Sequence, residues 1–505
     1  MSGAGPPVES LSGRVIRGGL WQMALAMTAR ALGLLRLVVL ARLLTPYDFG
    51  LVGLAFVVFW FLEAFSTIGL NLAVIHRGGR TRVLYDTAWS LGLVRGAVTS
   101  VVIVASAPIV GWFFGAPDAV PILRGVGLLP LLNALSNIGP VEFRRDLTFG
   151  PQYAINVTGF IADVCVAVPL AYWYGSAWAL VAGLLAMSVA RLVMSYVLHP
   201  YRPSFRIDRR EARALIGYGR WIFATTVIRW VGAQGVQTVV GRLLGVPVLG
   251  IYQMAWRIAF VPTSEFTQTL GGVTMPAYAR LQESTARVRD AFLKVLAAVA
   301  LGSAPVAVGI ALYAEDVVRV ALGPRWAAVV PVLHILAFAG LLRSMAVTTG
   351  PVFQGLGRPG IQTLVVSAEI VPLVVLVVPL TLRMGPAGAA IAATVAAAGG
   401  AIAAFVVVTR YPGIPASELL SAIGWPLLAC VPPAILRMSL PATFETLVGL
   451  GSALAASGLL YVAIILLADR LNLYDLARVV PLNAHRWLLH RRRTSRKTRP
   501  ALLDQ

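Results

Sequence analysis

From Gly18 to Ala468 one apolar run follows another with almost no pause, each close to the roughly 20 residues that a helix needs to cross about 30 Å of hydrocarbon. No water-soluble surface can be assembled from such a chain: 58% of its residues are hydrophobic, 12% are charged, and its mean hydropathy is +0.80. It reads as an all-α polytopic membrane protein. Run length and period predict about fourteen helical spans, over 18–40, 49–72, 87–113, 121–141, 152–172, 177–198, 219–241, 248–272, 291–313, 327–350, 361–382, 387–409, 419–437 and 446–468. Membrane strands are excluded, because the runs lack alternation and are about twice the length of a barrel strand. No link exceeds about 20 residues, which leaves no room for a soluble catalytic domain.

Charge sets the expected orientation. The net charge of +21 could suit nucleic acid, but its distribution over alternate loops is the way a membrane chain encodes its topology. With a cytoplasmic N-terminus, roughly 28 basic residues fall inside, among them Arg77, Arg80, Arg144, Arg145 and Arg280, against about seven outside, including Arg42, Arg242, Arg319 and Arg437. Both termini are therefore expected in the cytoplasm, with the tail "HRRRTSRKTR" on anionic lipid headgroups. The leader "MSGAGPPVES" carries no signal-peptide cleavage site, so the first span is expected to remain as an anchor. Cys165 and Cys430 fall within spans with no second pair of ligands beside them, and read as packing residues rather than as a disulfide or metal site.

A short phrase is written twice. In "ARLLTPYDFG" at 41–50 and "GRLLGVPVLG" at 241–250, Arg42, Leu43, Leu44 and Gly50 return 200 residues later as Arg242, Leu243, Leu244 and Gly250. Six expected spans separate the copies, and an even number of crossings returns the chain to the same membrane face. The halves are thus expected to be parallel repeats related by an axis along the membrane normal, with a transported substrate held between them near the midplane. The corresponding organisation is a leader at 1–17, a first lobe of helices 1–6 at 18–200, a basic linker at 201–218, a second lobe of helices 7–12 at 219–410, helices 13–14 at 411–468 and a basic tail at 469–505.

Beyond the arginines assigned to the two membrane faces, seven further ones lie within the spans: Arg30, Arg36, Arg95, Arg191, Arg229, Arg257 and Arg343. Each costs on the order of 2.5–3.5 kcal/mol at a helix centre, so they are expected to face water or partners rather than lipid. The intramembrane acids are Glu63, Asp163, Glu265 and Glu369. Even one-to-one pairing would leave surplus positive charge, and such an interior selects an anionic substrate. On the first span, Arg30 and Arg36 lie about 60° either side of Gly33 and roughly 9 Å apart in height, flanking a notch of small residues where phosphate oxygens could receive forked hydrogen bonds. The alternative is that one arginine snorkels while the other bridges acids on neighbouring helices. On the eighth span, Arg257 and Glu265 are about 80° apart in projection with Pro262 between them, either a bend toward a cavity or an ordinary membrane proline.

The stretches "RALGLLRLVVLARLLTPYDFG" at 30–50, "GLNLAVIHR" at 69–77, and "LGIYQMAWRIAFVP" followed by "MPAYARL" at 249–281 resemble the multidrug/oligosaccharidyl-lipid/polysaccharide exporter superfamily, in its polysaccharide-flippase branch. The R-x-L-G-x-x-R pattern looks like the first span of lipid II flippases, although Glu63 in "FLEAFSTIG" stands near where those proteins carry an arginine. The resemblance implies two six-helix lobes in a V, two added C-terminal helices, and alternating access for an undecaprenyl-linked saccharide. It implies that Arg30 and Arg36 hold the lipid pyrophosphate and that Arg257 faces the cavity.

The leading expectation is a flippase of the bacterial cytoplasmic membrane, a transporter rather than an enzyme, that moves a polyprenyl-(pyro)phosphate-linked oligosaccharide outward. Arg30, Arg36 and Arg257 would clamp phosphate, Arg229, Arg191 and Arg343 would add attraction, and Glu63, Asp163, Glu265 or Glu369 would couple to an ion or proton. No cofactor, metal or nucleic acid is expected; the expected partners are the lipid-linked substrate, anionic lipid and polysaccharide assembly machinery, and the chain is expected to be monomeric. The alternatives are a cation-coupled multidrug exporter, which would need acids lining its cavity, and a membrane polymerase or glycosyltransferase, which would need positioned acids or histidines on a substantial loop. A channel would need filter-like repeats or rings of charge, which the sequence lacks.

Overall fold

Hydrocarbon offers backbone groups no hydrogen-bond partner, so each segment must satisfy its own N–H and C=O groups. In the computed structural model the described residues, 27–29, 32–66, 82–145, 148–209, 230–232, 234–441 and 443–471, accordingly contain helices and irregular links and no strand. Among them, nine helices are long and apolar enough to cross a membrane: Pro46–Ala64, Arg82–Phe114, Gly150–Tyr174, Trp178–Val197, Thr285–Leu312, Val329–Gly355, Gly360–Arg410, Ala416–Ser439 and Leu447–Arg470. The two spans expected over 361–382 and 387–409 are two helices within Pro359–Arg410 that meet at a kink at Gly385, whose φ of 59° is a conformation glycine favours. The span expected over 248–272 lies inside Val246–Leu281, whose helix continues through Pro262.

Two of the expected spans carry a two-residue break: in the run 121–141 Ala119–Val126 is followed by Leu129–Leu135, and the spanning segment Ala416–Ser439, expected over 419–437, is Ala416–Leu428 followed by Val431–Ser439. Each second helix begins with proline at N1 or N2, where the missing N–H costs nothing and the preceding turn is left without a donor to continue it. Cys430, at the second break, is buried, and its S–H donates to the Pro426 carbonyl at 3.3 Å; Cys165 is exposed on its helix. The first and seventh expected spans, 18–40 and 219–241, fall largely outside the described residues.

The described residues form two compact units, those within 1–255, 321–332 and 374–389 in the first, and those within 256–320, 333–373 and 390–505 in the second. Within the first, the repeated phrases meet. A Cβ built on Gly50 would stand 2.0 Å from the Val246 carbonyl oxygen, and one on Gly250 would stand 1.9 Å from that of Pro46. The contact is reciprocal, 50 against 246 and 250 against 46, as self-complementary surfaces are around a local two-fold axis. Onto the first phrase folds the segment 321–332, in which the fully buried Trp326 donates its indole N–H to the Ala41 carbonyl at 2.8 Å and meets Phe49 edge-on at 5.2 Å.

In the second unit Thr285–Leu312 packs on Ala416–Leu428 around Phe292, Leu296, Phe353 and Leu419, and Arg289 grips Glu418 through both carboxylate oxygens. A second tie is deeper. Asp316, 0% exposed, accepts from Arg437 Nη2 at 2.8 Å and from the Phe444 N–H at 2.8 Å, while the Arg437 guanidinium lies 5.1 Å over Tyr313 and 5.6 Å over Phe444. Arg437, expected on an outer loop, is thus the anchor that fixes the link before the last helix. Replacing Asp316 with Asn removes the charge from this knot, and should lower stability by about 1.5–3 kcal/mol, the scale of a hydrogen bond to a charged group. Thermal unfolding in detergent is the check, and an unchanged midpoint would mean the knot is ornamental.

Candidate functional site

A charged side chain at bilayer depth has to be built into its surroundings, and glycines make the room here. The helices Phe149–Tyr174 and Trp178–Val197 pack along their length in the first unit. A Cβ at Gly183 would stand 2.3 Å from Asp163 Oδ1, and one at Gly159 would stand 2.8 Å from Arg191 Cγ and Nε. Each helix therefore presents a glycine to the other's ionic side chain. Arg191 also lies 5.2 Å over the face of Phe160.

Arg36 completes the cluster from the helix that covers 32–43. Its Nε is 2.5 Å from Asp163 Oδ2, with side-chain exposures of 14% and 2%. The Thr28 and Tyr153 hydroxyls, 3.2 Å apart, tie the preceding described residues 27–29 to Phe149–Tyr174. The Asp163 charge also attracts Arg191. Two guanidiniums thus stand near one buried carboxylate, Arg36 in contact with it and Arg191 on the facing helix. Arg36 Nε is committed to Asp163, while Arg36 Nη2 and Arg191 Nε are buried and make no hydrogen bond among the described residues, so part of each guanidinium fork is unspent. Gly33, beside Arg36, is exposed, and a Cβ there would meet no described atom within 4 Å; Arg30, the other flank of the expected notch, lies outside the described residues.

The remaining expected residues divide further. In the first unit Arg95 Nη1 donates to Glu63 Oε1 at 2.8 Å, both side chains 25% exposed. In the second, Arg343 Nε is 3.3 Å from Glu369 Oε1, and its guanidinium lies 5.8 Å from the Phe260 ring centre. Arg257 is exposed on Val246–Leu281. Arg30, Arg229 and the Glu265 side chain lie outside the described residues. Sequence reasoning marked Arg95 as intramembrane without giving it a role; its pairing with Glu63 joins two helices 32 residues apart, a distance at which spacing carries no signal. Among the described residues no group of three or more His, Cys, Asp or Glu is placed to hold a metal ion.

Known proteins agree with this architecture. The chain is 25% identical over 355 residues, 70% of its length and 72% of the other's, to the lipopolysaccharide biosynthesis protein WzxC of Escherichia coli. Its fold is that of the lipid II flippase MurJ in an inward closed conformation, with a TM-score of 0.72 and 15% identity over 90% of this chain and 100% of that one. It also aligns with an inward-facing multidrug resistance transporter of the MATE family of the MOP superfamily, with a TM-score of 0.58 and 18% identity over 75% and 93% of the two chains. The family model described as polysaccharide biosynthesis protein matches residues 39–331, more than half the chain, and this multi-pass membrane protein therefore belongs to that family.

Proposed function

We propose that the protein is a flippase that carries a polyprenyl-(pyro)phosphate-linked oligosaccharide across the bacterial cytoplasmic membrane by alternating access, with both termini in the cytoplasm. The observation that carries this reading is the cluster of Arg36, Asp163 and Arg191: two half-buried arginines beside one buried acid on apolar helices, with Arg36 Nη2 and Arg191 Nε making no hydrogen bond among the described residues. Phosphate is the ligand class such forked donors suit, and a wet cationic site lowers the barrier to moving phosphates and sugar past hydrocarbon while the prenyl chain stays in lipid. Arg30 and Arg257 belong to the same clamp in this reading, with Arg191, Arg229 and Arg343 as further attraction. Glu63, Asp163, Glu265 and Glu369 are the candidates for resetting the site by ion or proton exchange. A cationic drug is the poorer fit, since Glu63, Asp163 and Glu369 each face an arginine. The two six-helix lobes, the added C-terminal helices, the monomeric state, the tail on anionic lipid and contact with polysaccharide assembly machinery are parts of the same proposal.

Deleting the protein should cause a lipid-linked saccharide to build up on the cytoplasmic leaflet, out of reach of a membrane-impermeant oxidant added outside. Lipid extraction and labelling will show it. A deletion strain with an unchanged lipid-linked saccharide pool would sink the flippase reading.

A further inference from the structure

At the N-terminal end of the Arg82–Phe114 helix, the first unit contains a pocket that the transport reading leaves unused. Its volume is about 490 Å³, within the range of small-molecule sites, and Arg82, Tyr85, Glu142, Pro200, Tyr201 and Arg202 line it. The floor is the irregular chain 199–208, which has no backbone ladder of its own and is held by side chains instead. Tyr201 Oη donates to Asp86 Oδ1 at 2.5 Å, and the Ser204 N–H and hydroxyl donate to the two Asp86 oxygens at 2.9 and 2.8 Å. The Arg206 N–H donates to Ser90 Oγ at 2.9 Å, the Asp208 N–H to Thr87 Oγ1 at 3.1 Å, and Asn137 Nδ2 to the Tyr201 carbonyl at 2.6 Å. Burial and the Asp86 carboxylate push the Tyr201 phenol above its ordinary range, so it stays a donor. Asp86, 2% exposed, is thus spent on the floor, and the pocket's shape is set before any ligand arrives.

The walls combine three chemistries. Arg82 projects with 74% of its side chain exposed and its nearest acid, Asp86, at 3.8 Å. Arg202 is held by donating from Nη1 to the carbonyls of His199 and Tyr201 at 2.6 and 3.0 Å. Paired guanidiniums suit phosphate. Glu142, 3.6 Å from His199 Nε2, would repel a bare phosphate but accepts hydrogen bonds from hydroxyls. Tyr85, Pro200 and Tyr201 offer flat apolar faces to C–H groups.

We propose that this pocket binds a phosphorylated polyol at the membrane face, through Arg82 and Arg202 to the phosphate and Glu142 to the hydroxyls. A neutral sugar leaves the arginines idle and inorganic phosphate leaves Glu142 repulsive; a polyol phosphate uses both. The chemistry is shared by the headgroup of an anionic glycerophospholipid and by the sugar phosphate of a lipid-linked saccharide.

The test uses the whole chain in phosphatidylcholine nanodiscs, titrated with glucose 1-phosphate by calorimetry. Saturable binding is expected, weakened about tenfold or more by Arg82→Gln and by Glu142→Gln. Inorganic phosphate and glucose should each bind about tenfold more weakly than the sugar phosphate. Unfolding midpoints of the variants, both altered at partly exposed side chains, confirm that the fold is retained. Equal binding by the Arg82→Gln and Glu142→Gln variants, or inorganic phosphate binding as tightly as the ester, overturns the site. A second arm adds phosphatidylglycerol to the nanodiscs. Competition lost in Arg82→Gln supports the site and identifies the lipid headgroup as its source; sugar-phosphate binding that phosphatidylglycerol does not displace supports it with the saccharide as source. Loss of export in the deletion strain is a separate readout, so this site and the transport reading fail independently.

Discussion

Changing Arg36 to Gln is expected to leave the protein folded and inserted while lowering export by roughly thirtyfold or more. The figure follows from the 2–5 kcal/mol that truncating one partner of a buried charge contact costs, at about 1.4 kcal/mol per factor of ten. Gln keeps most of the volume, and Asp163 retains the attraction of Arg191, so the carboxylate is not stranded when Arg36 goes. Stability should therefore fall by less than the 3–5 kcal/mol typical of breaking an isolated buried pair. Arg36→Lys separates charge from shape: it can keep the contact with Asp163 but loses the planar fork, so it should preserve the unfolding midpoint yet restore little export. Surface polysaccharide, inner-leaflet lipid-linked saccharide and the unfolding midpoint are the three measurements. If Arg36→Lys exports as the unaltered protein does, a point charge is enough and the forked phosphate clamp is wrong. If export and midpoint fall together in Arg36→Gln, the arginine is a structural partner of Asp163 and nothing more.

Most of the fold was legible because hydrocarbon imposes a single rule on every segment, and run length alone then places the helices. What run length did not show is the break inside a span where proline stands near a helix start, at Pro130 and at Pro432 with Pro433. Hydropathy averages over such a break, whereas the missing N–H does not. At the site, one-dimensional reasoning could identify Arg36, Asp163 and Arg191 as expensive residues needing company, since insertion cost depends only on residue type and depth. It could not tell which would meet. That choice rests on Gly159 and Gly183, which let the two helices approach until an acid from one and an arginine from the other share a small volume. Glycines on apolar helices look alike in sequence, and only the neighbour across the groove separates these from open positions such as Gly458, where a Cβ would meet nothing within 4 Å. Asp86 and Asp316 were invisible for a related reason: the hydrogen bonds that define their roles come from more than 100 residues away, and the i,i+4 spacing of Arg82 and Asp86 does not announce them.

The repeated phrase supplies the other large effect. Gly250→Leu is expected to prevent accumulation of folded protein, because its Cβ would fall 1.9 Å from the Pro46 carbonyl oxygen and 2.9 Å from the Gly50 nitrogen, both backbone atoms that no rotamer change can move. Gly250→Ala is the graded version. It forces the two helices apart, with the 1–3 kcal/mol typical of overpacking and a lower unfolding midpoint. Gly50→Ala should do the same against Val246. Because the two alanines push on one crossing, the second displacement is partly made by the first, and the double variant should lose less than the sum of the singles by more than the roughly 0.5 kcal/mol within which distant sites add. Gly458→Ala is the matched control: it fills open space on an exposed helix, and should be neutral or gain up to about 1 kcal/mol of helix propensity. Strict additivity of Gly50→Ala and Gly250→Ala would show that the two glycines do not face one another. The reciprocal contact of the duplicated phrases, and with it the physical reason that glycine recurs 200 residues apart, would then have to be given up.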